Sequence, residues 1–312
     1  MNKNLSLIKE EISKVILGKD EYIDKIFIAL FGDGHILLND VPGVGKTTLA
    51  LALASSLGLN FKRIQFTPDV TSSDIVGFTY FNKVNNSFEY KEGVINEANL
   101  VLADEINRTS GKTQSALLEA MEERQVTVDG KTYKLKDPFM VIATQNEIGS
   151  IGTQPLPFAE LDRFMISFSL GYPSSDFEVE LLKDRKAINP LKNVKKVADI
   201  SLILKIKEEI SKITVKDNIY KYIVNLVNAT RENEYISLGI SPRGSLDLLK
   251  ASMVKAYLED RDYVIPEDVR YVFKDVTNHR ILLSNRLSSK NNNKEEILSS
   301  ILKEVRAPDD KE

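Results

Sequence analysis

The run LLNDVPGVGKTTLA, residues 37–50, joins a short apolar segment, Ile36-Leu37-Leu38, to a glycine-bracketed turn that ends in a lysine and two threonines. The apolar segment has the length and character of a buried parallel strand, and Thr47 onward reads as a helix closing near Gly58. Successive backbone N–H groups in Gly43-Val44-Gly45 can turn inward and cradle an anion at the positive end of that helix. Lys46 is then placed to reach β- and γ-phosphates, and the Thr47 hydroxyl to ligate Mg²⁺. The phosphate-loop pattern G-x-x-x-x-G-K-[ST] asks for glycine where this chain has Asp40, but Pro42 through Thr47 is intact. A chance glycine-rich turn between strand and helix is the competing reading.

The rest of the composition is that of an ordinary soluble globular chain: 312 residues, 42% apolar, with a formal charge of −3. That charge provides no overall basic field for a nucleic-acid backbone, so no nucleic-acid partner is expected. The absence of cysteine excludes disulfides, thiol catalysis and cysteine-ligated metals. Glu10 and Glu11 interrupt the N-terminal stretch where a signal peptide needs an apolar core, and no later run approaches membrane-spanning length. A cytoplasmic protein without membrane insertion is expected.

Strands and helices alternate through the first half, as a doubly wound α/β sheet requires. Residues 59–66 read as a strand. Residues 100–103 form a second apolar run, ending in Asp104-Glu105, 139–144 a third, ending at Gln145-Asn146, and 165–170 another. Ligands in such folds bind beyond the carboxyl ends of the strands, where the glycine turn, the acidic pair and the asparagine all fall. Two segments break the alternation with hairpin signals, FTYFNKVNNSFEYKEG around Asn85-Asn86 and RQVTVDGKTYKLKD around Asp129-Gly130. Beyond Gly171-Tyr172-Pro173 the chain reads as helices over 176–186, 200–213, 216–231, 243–260 and 267–278, with prolines at or beside the breaks. The expected division is a nucleotide domain over 1–172, a helical domain over 173–286, and a polar, partly disordered tail over 287–312 with one amphipathic helix at 294–305.

Two carboxylates at the end of a buried strand cost free energy unless something neutralises or uses them. Mg²⁺ bridging two phosphates gives Asp104 that use, and Glu105 is then positioned to polarise an attacking water. A solvated pair opening a helix is the alternative. Asn146 could orient the water or simply cap a turn. Arg163, in LDRF, and Arg243, in SPRGS, could each offset charge on a transferred phosphoryl or form surface salt bridges. His35 and His279 fit no metal or catalytic constellation and read as structural.

Taken together, PGVGKTT, ADEINR, KTQSALLEAMEERQVTVDG, PFMVIATQN, GTQPLP, LDRF and SPRG resemble the MoxR family of AAA+ ATPases over most of the chain to about residue 280. The resemblance implies a P-loop αβα sandwich with a parallel sheet, a small all-helical lid domain, and a hexameric ring. It makes the hairpins the insert in helix 2 and the hairpin before the sensor strand, which face the ring axis in related AAA+ proteins. It makes Pro42, Gly43, Val44, Gly45, Lys46, Thr47 and Thr48 the Walker A contacts, and Asp104 and Glu105 the Walker B pair, with Thr47 and Asp104 on Mg²⁺. Asn146 matches the first sensor, Arg163 the arginine finger acting on a neighbouring subunit, and Arg243 the second sensor. The stretch from Val15 through Ile16 to Gly18 matches the segment lining the adenine pocket. Besides Asp40, the chain departs from the family at Glu147, where proline is usual, and at Phe158, where glutamate is common.

The implied activity is Mg²⁺-dependent ATP hydrolysis coupled to remodelling or activating a protein client, with a separate partner carrying a von Willebrand factor A domain. Alternatives are a nucleic-acid motor using Lys131, Lys134 and Lys136, a metal-chelatase-type subunit, and a nucleotide-gated scaffold with negligible hydrolysis.

Overall fold

Two helices precede the first strand. In α1 (Lys3–Ser13), Leu5, Ile8 and Ile12 recur at helical spacing and are buried, and α2 (Asp20–Phe31) buries Ile23, Ile26, Phe27 and Leu30 in the same way. The chain continues through β1 (Ile36–Asn39), α3 (Lys46–Leu57), β2 (Phe61–Gln65) and α4 (Ser72–Val76). A hairpin of β3 (Gly77–Asn82) and β4 (Ser87–Glu92) leads to β5 (Leu100–Asp104) and α5 (Gly111–Glu123). A second hairpin, β6 (Gln125–Val128) and β7 (Lys131–Lys134), precedes β8 (Met140–Gln145), α6 (Phe158–Leu161) and β9 (Ile166–Phe168). The computed structural model describes residues 3–15, 20–41, 43–145, 153–172, 190–284 and 293–308, with positions 175, 178 and 179.

Five strands form one parallel sheet in the order β2-β5-β8-β1-β9. The inner strands β1, β5 and β8 are apolar along nearly their whole length because both faces are covered. Side-chain alternation divides them between two cores. Ile36, Leu38, Leu100, Leu102, Met140 and Ile142 pack with α1, α2 and α3, whereas Leu37, Val101, Ala103, Val141 and Ala143 pack with Leu117, Leu118 and Met121 of α5. At the carboxyl edge each of four strands ends in a polar residue. Their register sets Asn39 beside Gln145 and Gln65 beside Asp104.

The second part contains α7 (Ile200–Ser211), α8 (Asp217–Glu232), β10 (Ile236–Leu238), α9 (Pro242–Leu258), α10 (Pro266–Thr277), β11 (Leu282–Leu283) and α11 (Lys294–Glu304). The antiparallel ribbon of β10 and β11 adds to the helices expected from sequence, its strands too short to give a periodic signal. Ser284 N–H donates to Tyr235 O, and the Ser237 hydroxyl to Leu282 O, so side-chain and flanking bonds supplement a minimal ladder. The segment 176–186 lies outside the described residues except at 178 and 179. Ile203, Leu226, Leu248 and Val269 belong to the same buried cluster as Ile36 and Leu49, so the lid helices and one face of the sheet share a core. Ile297, Leu298 and Ile301 of α11 are buried in it too. Among the described residues no helix is long and apolar enough to cross a membrane.

Candidate functional site

The phosphate turn leaves β1 at the carboxyl edge of the sheet. Gly43 and Gly45 have φ of 87° and 97°, and a Cβ at either would meet nothing within 4 Å. Glycine is needed there for the backbone angle and not for space. Gly45 caps α3 without any side-chain bond, so the first-turn amides keep the donor capacity that suits an anion. Lys46 is buried and donates from Nζ to Asp40 O at 3.4 Å, lying across its own loop, while Val44, Thr47 and Thr48 are partly exposed. This donor set fits a polyphosphate.

Asp104 closes β5, two strands away from β1 in the sheet. Its Oδ1 accepts from Thr144 Oγ1 at 2.7 Å, and its Oδ2 pairs with Arg63 at 2.7 Å. Glu105 follows in the left-handed region at φ 57°, ψ 47°, a conformation that strains a residue with a Cβ by roughly 1–3 kcal/mol and persists only where surroundings enforce it. The enforcement is visible: Glu105 N–H donates to Thr144 Oγ1 at 2.8 Å, and its carboxylate meets Gln65 Nε2 at 2.9 Å and Arg108 at 2.8 Å. Thr144, one hydroxyl serving both members of the acidic pair, gave no signal in the sequence beyond being the last residue of an apolar run. Gln65 was detectable in principle, since it ends its strand at the same edge as Asp104. Thr47 and Asp104 supply oxygen donors of the kind Mg²⁺ takes along with phosphate oxygens and water. Ile16, Gly18, Pro42 and Asn146, with Glu147, lie outside the described residues, and Val15 packs partly buried against the core beyond α1.

Arg163 and Arg243 lie at the opposite edge. Met165 N–H donates to the carbonyl of His35, the residue before β1, so Arg163 stands at the amino end of the parallel strands. The four residues of β1 separate that edge from the phosphate turn by roughly 13 Å. There Arg163 Nε lies 3.2 Å from Glu122 Oε2, and Arg243 donates to Glu122 Oε1. The surface salt bridges weighed for both arginines thus share a single carboxylate. The turn bearing Arg163 is bolted to the lid. Fully buried Arg280 binds Asp162 Oδ1 at 2.8 Å, Asp247 at 2.5 Å and Met165 O at 2.9 Å. Ser241, the cap of α9, donates to Asp162 Oδ2 at 2.8 Å. Burial pushes the Asp247 carboxyl above the usual carboxylate range, and the Arg280 charge opposes that.

The histidines are structural. Val141 N–H donates to His35 Nδ1 at 3.0 Å, which leaves Nε2 to donate to Met121 O at 3.1 Å, and His279 Nε2 contacts Phe164 O at 2.7 Å. Burial holds both well below the ordinary histidine pKa.

Comparison with known proteins agrees with this geometry. Residues 35–166 match the ATPase family associated with various cellular activities (AAA), and residues 228–301 match the AAA lid domain. The chain is 45% identical over 299 residues to the uncharacterised Bacillus subtilis protein YeaC, covering 96% of this chain and 93% of that one. It is 37% identical to chaperone MoxR1 of Mycobacterium tuberculosis, over 96% of this chain and 81% of the relative. A crystal structure of a candidate ATPase from Cytophaga hutchinsonii superposes with a TM-score of 0.90 at 38% identity, covering 98% and 95% of the two chains. A parallel five-stranded sheet with the phosphate turn at its carboxyl edge, a helical lid, and near full-length similarity to MoxR proteins place this chain in the MoxR family of AAA+ ATPases.

Proposed function

We propose that the protein is a Mg²⁺-dependent ATPase that works as a cytoplasmic ring, hexameric as the family resemblance implies, and couples hydrolysis to remodelling or activating a protein client. A separate polypeptide with a von Willebrand factor A domain is the expected partner. The observation that carries this reading is the separation of two half-sites within one chain. The phosphate turn and acidic pair lie at the carboxyl edge of the sheet, and both candidate arginines lie at the amino edge on Glu122. A head-to-tail contact between copies joins such halves, and repeated contacts of that kind close into a ring.

In this reading the amides of 43–45 and Lys46 hold the phosphates, Thr48 adds a polar contact, and Val15, Ile16 and Gly18 line the base. Thr47 and Asp104 would hold Mg²⁺, which when bound would offset phosphate charge. Asp104 gives up its pairing with Arg63 to do so. Glu105 accepts the proton of the attacking water after leaving Gln65 and Arg108, and Asn146 orients that water. Arg163 and Arg243 of the next subunit offset the charge on the transferred phosphoryl. Residues 1–172 act as the nucleotide domain and 173–286 as the lid. The client contact is supported by the first hairpin, where Phe78, Tyr80, Phe81 and Phe88 are exposed, Phe88 by 75%.

Two variants test the chemistry. Lys46→Ala removes the principal point charge on a triphosphate, so ATP binding should be lost. Glu105→Gln keeps the shape without the proton acceptor, so it should bind ATP and barely release phosphate. Turnover by Glu105→Gln at the parental rate would remove Glu105 from the mechanism.

A further inference from the structure

Glu122 occupies a position that helix stability does not explain. It lies in the last turn of α5, where a carboxylate opposes the helix dipole, followed by a second one at Glu123, with no basic residue in that turn. The end of the helix is nevertheless rigidly held. His35 Nε2 bonds Met121 O, and Arg124 reaches the carbonyls of Phe139 and Asp33. The two arginines that meet Glu122 come from different parts of the chain, each on its own fixed support. Arg163 is on the turn locked by Arg280 and His279, and Arg243 is in the first turn of α9, whose cap Ser241 binds Asp162. All three side chains line one cleft of about 730 Å³ at the amino edge of the sheet.

The mode of contact matters as much as its location. Glu122 Oε2 meets Arg163 on its Nε side at 3.2 Å. An arginine met at Nε keeps its planar terminal fork for an incoming phosphate, whereas Arg243, met at Nη2, is positioned by one arm of its fork and can offer the other. Glu122 uses its other oxygen on Arg243, so one carboxylate fixes the spacing of two cations and reduces their mutual repulsion. We infer that Glu122 is a positioning residue: it presents Arg163 and Arg243 as a preset pair to the triphosphate bound by the adjacent copy of this chain. The inference rests on the proposed action of both arginines across the subunit contact.

The test is a double-mutant cycle on the full-length chain, read as steady-state phosphate release with radiolabelled ATP. Glu122→Ala should lower kcat about tenfold or more, since misplacing catalytic groups by about 1 Å costs on the order of 10²-fold. KM for ATP and the affinity for a fluorescent ATP analogue should stay within about threefold, because the loss falls on the transition state. Glu122→Gln, which retains one acceptor oxygen, should lie between. In an Arg163→Ala, Arg243→Ala background the same Glu122→Ala change should add no further loss, since nothing remains to be positioned. Thermal melting should show Glu122→Ala at least as stable as the parent. A parental kcat in Glu122→Ala, or an equal further loss in the arginine-less background, overturns the role. If the arginine double variant itself turns over at the parental rate, the reading beneath the inference fails instead.

Discussion

The carboxylate of Asp40 accepts the hydroxyl of Ser169 at 2.6 Å, tying the start of the phosphate turn to the chain leaving β9 for the lid. The same side chain accepts from Leu170 N at 2.7 Å and Gly171 N at 3.1 Å, and it is almost fully buried. The residue that departs from the phosphate-loop pattern is therefore a structural clasp between the nucleotide turn and the interdomain connection. Asp40→Gly, which restores the pattern, should destabilise the protein by roughly 1–3 kcal/mol because it strands buried donors. Asp40→Asn, which keeps one acceptor oxygen, should cost less. Chemical denaturation of the three chains gives the order; a glycine variant as stable as the parent would show that the clasp contributes nothing.

Much of this arrangement was legible in the chain because the nucleotide half obeys local rules. A buried strand needs an uninterrupted apolar run, and 36–38, 100–103 and 139–144 became β1, β5 and β8 with polar residues just beyond. Both hairpins formed about their Asn85-Asn86 and Asp129-Gly130 turns, with Asn86 and Asp129 at positive φ. Long-range partners were not legible. Nothing near Arg163 announces Arg280, which lies over a hundred residues away and is silent in any periodic pattern. Glu122 lies inside the run KTQSALLEAMEERQVTVDG, but nothing in that run shows that it meets Arg163 and Arg243, and the place of Gln65 beside Asp104 comes from sheet order alone. The helices α1 and α2 are amphipathic enough to read, but the N-terminal stretch is read from sequence only as lacking a leader and, at Val15 to Gly18, as matching an adenine-pocket segment.

The two hairpins are joined at their bases by Tyr90 and Tyr133, whose rings stack at 4.0 Å with an interplanar angle of 17°. If they contact a client, replacing the polar tip 129–132 should leave basal ATPase nearly intact while removing stimulation by client. Phe81→Ser with Phe88→Ser should do the same through the exposed aromatic surface, the two rings being paired across the ribbon at 5.3 Å. Basal and client-stimulated phosphate release, measured side by side, give the answer. Loss of basal rate with an unaltered client response would assign the hairpins to the catalytic scaffold.

Acid should unfold the protein through its two histidines. Burial holds the folded pKa of His35 and His279 well below 6.5, the value each regains in the unfolded chain. With folded values depressed, the unfolded state binds protons first as pH falls. Their contribution to stability is complete above about pH 7.5 and declines through and below pH 6.5. The limiting slope is about 2.7 kcal/mol per pH unit for two groups, each contributing about 1.36. Denaturation midpoints at pH 7.5 and 5.5 should differ accordingly, and His35→Gln should halve the slope. A flat profile between those pH values would mean that both rings take up a proton without unfolding, and half the slope that one of them does.

Arg163 should act on the ATP of the neighbouring subunit. Its own phosphate turn lies a strand length away at the other edge of the sheet, and Arg280 with His279 fixes its turn against the lid, so it cannot swing back. An arginine finger is worth about 10³ to 10⁵ in turnover, so Arg163→Ala should bind ATP yet hydrolyse almost none. Glu105→Gln should be equally inactive for a different reason, and combining the two separates action within a subunit from action across the contact. In rings assembled from equal parts of both variants, about one quarter of contacts join an intact Glu105 to an intact Arg163 when each site meets its neighbour's arginine. Activity should then rise well above that of either variant alone once subunit exchange is demonstrated by fluorescence transfer between labelled copies. If Arg163 served its own site, every subunit would carry one lesion at its own centre and mixing would restore nothing.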